Sequence, residues 1–389
     1  MSTNTIHVGI TGIGHEVGEI IVTNDDVTKI VENAICSKKE RVLGTRELTK
    51  EEKGKYLCDP EWLVNHEFFG RVHTAHTTVD LGVAAAKKAI EMSGCRKQNI
   101  QALLFGTVSP NRNYSPTCAQ LATGELGLQV RNELGLKNFL PSDMQNTCTT
   151  IGSVITLGWC LIKAGFVKHL LVIGADKMSI TVDPADRNFY PLMGDAGTAI
   201  IMEAVTESSD SFPWQEKSFF SVVEPSGVNN IIAKAGGSAM PLTPEMIIGS
   251  PENPLALRPD KLWQDGKKVH GHMIRFLSDP TVPPRQTVFG AALHQVGLTL
   301  QKIDAIYPHQ ASVRMNKEAL INLKQKGFKG RMSDNGKRYG NTTSAAVLLG
   351  ASLDSEQGIL QTGQTIALAP FGAGYTACII FVNWTANIP

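Results

Sequence analysis

The feature that most constrains this 389-residue chain is internal: one order of elements can be read in it twice. Residues 84–106, AAAKKAIEMSGCRKQNIQALLFG, read as an amphipathic helix, a turn and a buried strand. Residues 288–309, VFGAALHQVGLTLQKIDAIYPH, repeat that order, and the strand starts Ile100-Gln101-Ala102-Leu103 and Ile303-Asp304-Ala305-Ile306 share a pattern. Further along, HLLVIGAD (169–176) leads to GTAIIMEA (197–204), as TIALAPFG (365–372) leads to YTACIIFV (375–382). Each pair reads as a buried strand, a glycine-containing turn and a second buried strand. Between the pairs each half carries a polar loop opening a helix: Asn146-Thr147-Cys148-Thr149-Thr150-Ile151-Gly152 and Asn341-Thr342-Thr343-Ser344-Ala345-Ala346. A capped helix is commonplace in any α/β protein; the matching order across both halves is what argues for duplication.

Duplicated halves would pack their sheets face to face over two central helices, starting near Cys148 and Asn341, in five layers, α-β-α-β-α. The expected halves are residues 1–210 and 211–389, since ESSDSFPWQEKS (207–218) is polar and aperiodic. Two stretches read as insertions. Residues 33–61 are charged and irregular, with room for a short helix over the surface; residues 236–268, rich in Gly, Pro and Met, form an excursion placed to line a substrate entrance.

Bulk properties narrow the function classes. The formal charge is +1, from 37 basic and 36 acidic residues, which gives no electrostatic case for nucleic acid or an anionic membrane as the main partner. No apolar run approaches the length needed to cross a bilayer. The opening MSTNTIHVGITGIG reads as a first strand rather than a secretory leader, so the expected compartment is the cytoplasm. Seven scattered cysteines without a CxxC pair argue against a disulfide framework or a zinc site, and no metal is expected.

Among those cysteines Cys148 stands at a helix start, where free N–H groups and partial positive charge favour thiolate. Position alone does not overturn the default reading of a structural core cysteine. His309, in Tyr-Pro-His-Gln-Ala-Ser, ends a strand, where catalytic groups of α/β sheets collect. Asn341 reads by default as a cap. Phe371-Gly372-Ala373-Gly374-Tyr375 is a tight turn that either closes a hairpin or aims a backbone N–H at a thioester oxygen. Cys, His and Asn together suggest a nucleophile with two polar partners. Papain-like proteases share that chain order, but they need a Cys-Gly-Ser-Cys-Trp type sequence near the mature N-terminus, whereas Cys148 lies mid-chain in a duplicated protein.

From first strand to last, the chain resembles the β-ketoacyl-acyl-carrier-protein synthase III group of the thiolase superfamily. Val22-Thr23-Asn24-Asp25-Asp26, Asp183-Pro184-Ala185-Asp186-Arg187, Gly194-Asp195, Pro308-His309-Gln310-Ala311, Gly340-Asn341-Thr342 and Phe371-Gly372-Ala373-Gly374 carry the likeness. The resemblance implies a thiolase fold and a homodimer that forms carbon–carbon bonds without a cofactor. Coenzyme A or acyl-carrier-protein thioesters would be its substrates. It also implies that Cys148 is acylated and that His309 and Asn341 stabilise the enolate of the second thioester. The backbone N–H groups of Cys148 and Ala373 would form the oxyanion hole. Trp62 and Arg187 would hold the coenzyme A nucleotide, Ser312 would lie beside the pantetheine arm, Tyr114 would reach into the partner's acyl pocket, and Arg314 would dock the carrier protein.

The departures bear on substrate. The family's usual Ala-Cys-Ala/Ser-Gly is Thr147-Cys148-Thr149-Thr150 here, and an arginine four residues after the tryptophan is His66. Ser312 replaces a common Asn, and Gly-Asp-Gly-Ala-Gly becomes Gly194-Asp195-Ala196-Gly197-Thr198. These changes point away from fatty-acid initiation with acetyl-coenzyme A and towards a larger acyl group. The leading expectation is Claisen-type condensation with a malonyl- or β-ketoacyl-thioester in fatty-acid-like or polyketide metabolism. Its competitors are a ketosynthase that joins two β-ketoacyl chains and cyclises the product, an acyltransferase to a hydroxyl or amine, and a non-catalytic partner subunit of a heterodimeric synthase.

Overall fold

The structure is a computed structural model and describes residues 6–128, 138–205, 214–248, 253, 255–278 and 286–386. The expected boundary between the halves, at 210/211, lies outside the described residues.

The first sheet takes its strands from β1 (His7–Val17), β2 (Ala102–Gly106), β3 (Leu140–Met144), β4 (His169–Lys177) and β5 (Asp195–Val205), in the order β1-β5-β4-β2-β3. The second is built from β6 (Phe219–Val223), β7 (Ala305–Pro308), β8 (Arg331–Met332), β9 (Thr365–Ala369), β10 (Phe371–Gly372) and β11 (Thr376–Asn383). Pairing repeats between the sheets. In the first, β3, β2 and β4 are parallel, then β5 and β1 follow antiparallel. In the second, β8, β7 and β9 are parallel, then β11 and β6 follow antiparallel. The duplicated order of the sequence is thus a duplicated topology.

Besides two short helices at Pro244–Ile248 and Gly336–Tyr339, the helices among the described residues are, in chain order, α1 (Asn24–Leu43), α2 (Lys50–Tyr56), α3 (Pro60–Asn65), α4 (Thr78–Ser93), α5 (Cys118–Glu125), α6 (Thr150–Lys163), α7 (Gly266–Ser278), α8 (Val288–Val296), α9 (Val313–Gln325) and α10 (Ala346–Glu356). Both faces of each sheet are covered, which is why the strands read as near-continuous apolar runs. Successive strand residues point to opposite faces. Leu104, Val172, Ile200, Ile366, Leu368 and Ile380 meet Ile151, Val154 and Ile155 of α6 and Val347, Leu348 and Ala351 of α10 in one central core. Their neighbours Leu103, Phe105, Leu171 and Ile173 face α4 and α5. Ile306, Ala367, Ile379 and Phe381 face α7, α8 and α9. The result is the five-layered arrangement, with α6 and α10 between the sheets.

Three expectations need correction. Residues 33–61 are not an irregular surface stretch: α1 runs through them, followed by α2 and the start of α3. Val27, Val31, Ile35 and Lys38 of α1 are buried at helical spacing, the capping box of Thr23 and Asp26 starts the helix, and the Lys38 ammonium is paired with Asp183. The first-half link between β4 and β5 is not a short turn: it spans residues 178–194 with two short 3-10 helices. The central helices also start later than their loops suggest, α6 at Thr150 and α10 at Ala346, the latter after a 3-10 turn at Thr343–Ala345. Among the described residues no helix is long and apolar enough to cross a membrane.

Candidate active site

Cys148 lies on the loop from β3 to α6, two residues ahead of the helix. Thr147 has φ of +47°, a left-handed conformation disfavoured for a β-branched residue. Local bonds hold it there: the Thr150 N–H and hydroxyl both donate to the Thr147 carbonyl, at 3.1 and 2.6 Å, and the Thr150 hydroxyl accepts the Asn146 N–H at 2.7 Å. Threonine at these positions, where the resembled family has small residues, therefore supplies hydroxyls that fix the loop. Burial pushes the Cys148 thiol up to about 11; the Ala373 N–H that reaches it pulls the other way, and the carboxylate of Asp176 adds to the rise. The thiolate expected from the helix start is thus outweighed, because leaving water costs a charge more than one terminal dipole returns.

The turn after β9 packs directly on this cysteine. Gly372 allows the approach, since a Cβ there would stand 2.7 Å from the Cys148 sulfur. Gly374, at φ +72°, turns the chain so that Ala373 faces the Cys148 loop. The Thr147 and Thr376 hydroxyls each donate to the Ala373 carbonyl at 3.1 Å.

His309 follows β7, its N–H donating to the Ala369 carbonyl at 3.0 Å and its ring meeting Phe371 edge-on at 5.5 Å. It is buried, its Nδ1 has no hydrogen-bond partner, and burial lowers its pKa to about 3, so the ring is neutral. Asn341 is held by the first half: its N–H donates to the Leu192 carbonyl at 2.6 Å, and its carbonyl accepts from the Gly194 N–H at 3.1 Å. Its Oδ1 accepts the Thr343 N–H at 3.1 Å, which leaves the amide NH2 as the donor end. The cap expected of an asparagine is therefore present, as a local turn rather than at the start of α10.

Cys148, His309, Asn341 and Ala373 all line one cavity of about 550 Å³. Phe68, Val108, Met178, Leu192, Ile231 and Phe371 supply much of its apolar wall. The excursion at 236–268 contributes Asp260, Lys261, Leu262, Gln264 and Gly266 to that wall, as its composition suggested.

The other expected residues divide. Ser312 and Arg314 line the cavity, Ser312 also capping α9 by accepting the Met315 N–H at 3.3 Å. Trp62 and Arg187 are not among the lining residues; they meet each other, the guanidinium 4.5 Å from the ring centroid and donating to the Leu57 carbonyl. His66 stacks on Trp62 at 3.9 Å and does line the cavity. Tyr114 is 90 % exposed and apart from the cavity wall. Reading the sequence missed Asp176, a fully buried carboxylate at the end of β4. A lone acid closing an apolar strand was its signal.

Among the described residues one group could offer three metal ligands, Cys95, His169 and Glu203, their ligand atoms all within 4.8 Å. It lies away from the cavity, and its members already satisfy one another: His169 and Glu203 are cross-strand partners whose side chains meet at 3.1 Å, and Glu203 takes the Cys95 thiol.

Known proteins resemble this chain over nearly its whole length. The family model described as 3-oxoacyl-[acyl-carrier-protein (ACP)] synthase III matches residues 142–216, and that of its C-terminal part matches residues 293–384. A β-ketoacyl-[acyl-carrier-protein] synthase III of Bacillus cereus is 26% identical over 384 residues, covering 97% of this chain and 99% of the relative. The crystal structure of 3-oxoacyl-(acyl carrier protein) synthase III from Pseudomonas aeruginosa has a TM-score of 0.72 at 21% identity, over 98% of this chain and 100% of that one. A priming β-ketosynthase of a polyketide biosynthetic pathway superposes with a TM-score of 0.73 at 19% identity, over 98% of this chain and 97% of that one. The last two share the fold.

Proposed function

We propose that this chain, which belongs to the β-ketoacyl-acyl-carrier-protein synthase III-like condensing enzymes of the thiolase superfamily, stores an acyl group on Cys148 and extends it by Claisen condensation. The observation that carries the reading is convergence: Cys148, His309, Asn341 and Ala373, from four separate loops, border one cavity. In the first half-reaction the Cys148 sulfur attacks an acyl thioester. The Cys148 and Ala373 N–H groups receive the oxyanion, and the carrier thiol leaves with the proton from Cys148. In the second, a malonyl thioester loses carbon dioxide. Its enolate oxygen is met by the neutral His309 and by the Asn341 amide, and its carbon attacks the Cys148 acyl group. Cys148 departs as thiolate, takes a proton from solvent, and leaves a β-ketoacyl thioester. Neutral donors suit this step, because a cationic histidine would hold the enolate and lower its reactivity.

The donor is an acyl-carrier-protein or coenzyme A thioester, with Arg314 and Ser312 at the cavity placed for its carrier and arm. Contact of Trp62 with both Arg187 and His66 leaves less room for a nucleotide, which favours the carrier protein. We read the enzyme as a cytoplasmic homodimer, each chain of which comprises a 1–210 and a 211–389 half; the uncovered ring of Tyr114 is the kind of group a subunit contact buries.

The test is intact-protein mass after incubation with acyl-carrier-protein and acyl-coenzyme A thioesters, then product analysis after adding malonyl or β-ketoacyl thioester. A Cys148 adduct that converts to a β-keto product supports the reading. An adduct that passes only to a hydroxyl or amine makes the protein an acyltransferase, and no adduct with any donor makes it a non-catalytic partner.

A further inference from the structure

Asp176 ties together two walls of the cavity without reaching it. Its Oδ1 accepts the Thr107 hydroxyl at 2.8 Å, the Val108 N–H at 2.7 Å, and the Ser109 N–H and hydroxyl at 3.0 and 2.8 Å. Its Oδ2 accepts the Ser344 N–H at 2.9 Å. The donors are all uncharged, and the carboxylate is completely buried. One oxygen therefore holds the loop after β2, whose Val108 and Ser109 line the cavity; the other holds the loop that carries Asn341.

That second loop needs holding. Thr343 has φ of +48°, a costly conformation for a β-branched residue. It is gripped from both sides: its own N–H goes to Asn341 Oδ1 at 3.1 Å, and the next N–H, of Ser344, goes to Asp176. β4 accommodates the loop because residue 174 is glycine, where a Cβ would stand 2.7 Å from the Ser344 carbonyl oxygen. If the Asp176 grip is released, the strained turn relaxes, and the Asn341 side chain, bonded to that turn, turns with it.

We infer that Asp176 is the positioning residue for Asn341, holding the Thr343–Ser344 backbone so that the Asn341 amide meets the thioester oxygen in the condensation step. The inference rests on the role proposed above for Asn341. A carboxylate is required because it offers acceptors on both sides; an asparagine would set its NH2 against the Ser344 N–H or against the donors of Thr107–Ser109.

The experiment separates positioning from mere stability. Asp176→Asn should load an acyl group no more slowly than wild type, since the Cys148 loop and the Ala373 turn keep their own bonds and the charge that opposes the thiolate is gone. Condensation should fall about 10²-fold, the cost of misplacing a catalytic group by about 1 Å. The double variant Asp176→Asn/Asn341→Ala should condense no more slowly than Asn341→Ala alone, because one residue acts through the other. Gly174→Ala, which pushes the same carbonyl from the strand side, should repeat the pattern and carries the test if Asp176→Asn does not fold. Wild-type condensation by the foldable variant, loading that falls in step with condensation, or losses that multiply in the double variant would each overturn the inference. A slow Asn341→Ala beside a fast Asp176→Asn overturns it alone; wild-type condensation by Asn341→Ala removes the role of Asn341 as well.

Discussion

The Thr147 hydroxyl donates to the Ala373 carbonyl at 3.1 Å, across 226 positions of sequence. The bond joins the Cys148 loop of one half to the Ala373 turn of the other, and Thr376 braces the same carbonyl. Thr147→Val keeps the shape and removes the donor. It should slow acyl loading about tenfold and cost about 1 kcal/mol of stability, whereas Thr147→Ser should load like wild type. Stopped-flow loading rates beside urea midpoints check both; equal loading by the valine and serine variants would mean that the bond does not tune the site.

Gly372→Ala tests how closely that turn must approach. The new methyl would stand 2.7 Å from the Cys148 sulfur, so the turn or the thiol must move. Loading should fall by about 10² or more, by analogy with losing or displacing an oxyanion donor. The far-ultraviolet circular dichroism should be unchanged. Loading at the wild-type rate would show that the turn has slack.

The sequence was most legible where one physical rule acted alone. Runs such as HLLVIGAD and TIALAP lie in strands covered on both faces, so apolar continuity revealed them and their repetition revealed the topology. The long helix α1 was hidden by its charged outer face, although Val27, Val31 and Ile35 carry the spacing. Cys148, His309 and Asn341 stood out only as a set, through family resemblance, and His309 and Asn341 sit where strand ends and loop starts were expected. The state of the Cys148 thiol was not legible, because it depends on burial by residues far away in sequence. Asp176 was hidden for the same reason: its donors come from loops 67–69 and 168 positions away.

Two groups shifted by loss of water give opposite pH signatures. The Cys148 thiol, raised by burial to about 11, should react with iodoacetamide slowly at neutral pH and about tenfold faster per unit towards that value. Site-resolved mass spectrometry of the alkylated peptide checks this, and a plateau near pH 7 would refute it. His309, lowered by burial to about 3, stays neutral in the folded chain while its unfolded counterpart protonates near 6.5. The unfolded state then binds more protons between those values, so stability is present above about pH 6.5 and is lost as pH falls towards 3. Relative to His309→Asn, wild type should lose up to about 1.4 kcal/mol per pH unit in that window. Parallel urea midpoints of the two proteins would contradict the neutral ring.

The separation of loading from condensation bears most directly on the whole account. Cys148→Ala and Asn341→Ala are each incubated with an acyl thioester and weighed intact, then given malonyl thioester and assayed for β-keto product. Cys148→Ala should gain no mass. Asn341→Ala should gain the full acyl mass, since the thiol and both oxyanion N–H groups remain, yet form product about 10²–10³-fold more slowly, the cost of one lost donor. An Asn341→Ala protein that loads and condenses like wild type would contradict the account, leaving Asn341 a local turn and the protein an acyltransferase.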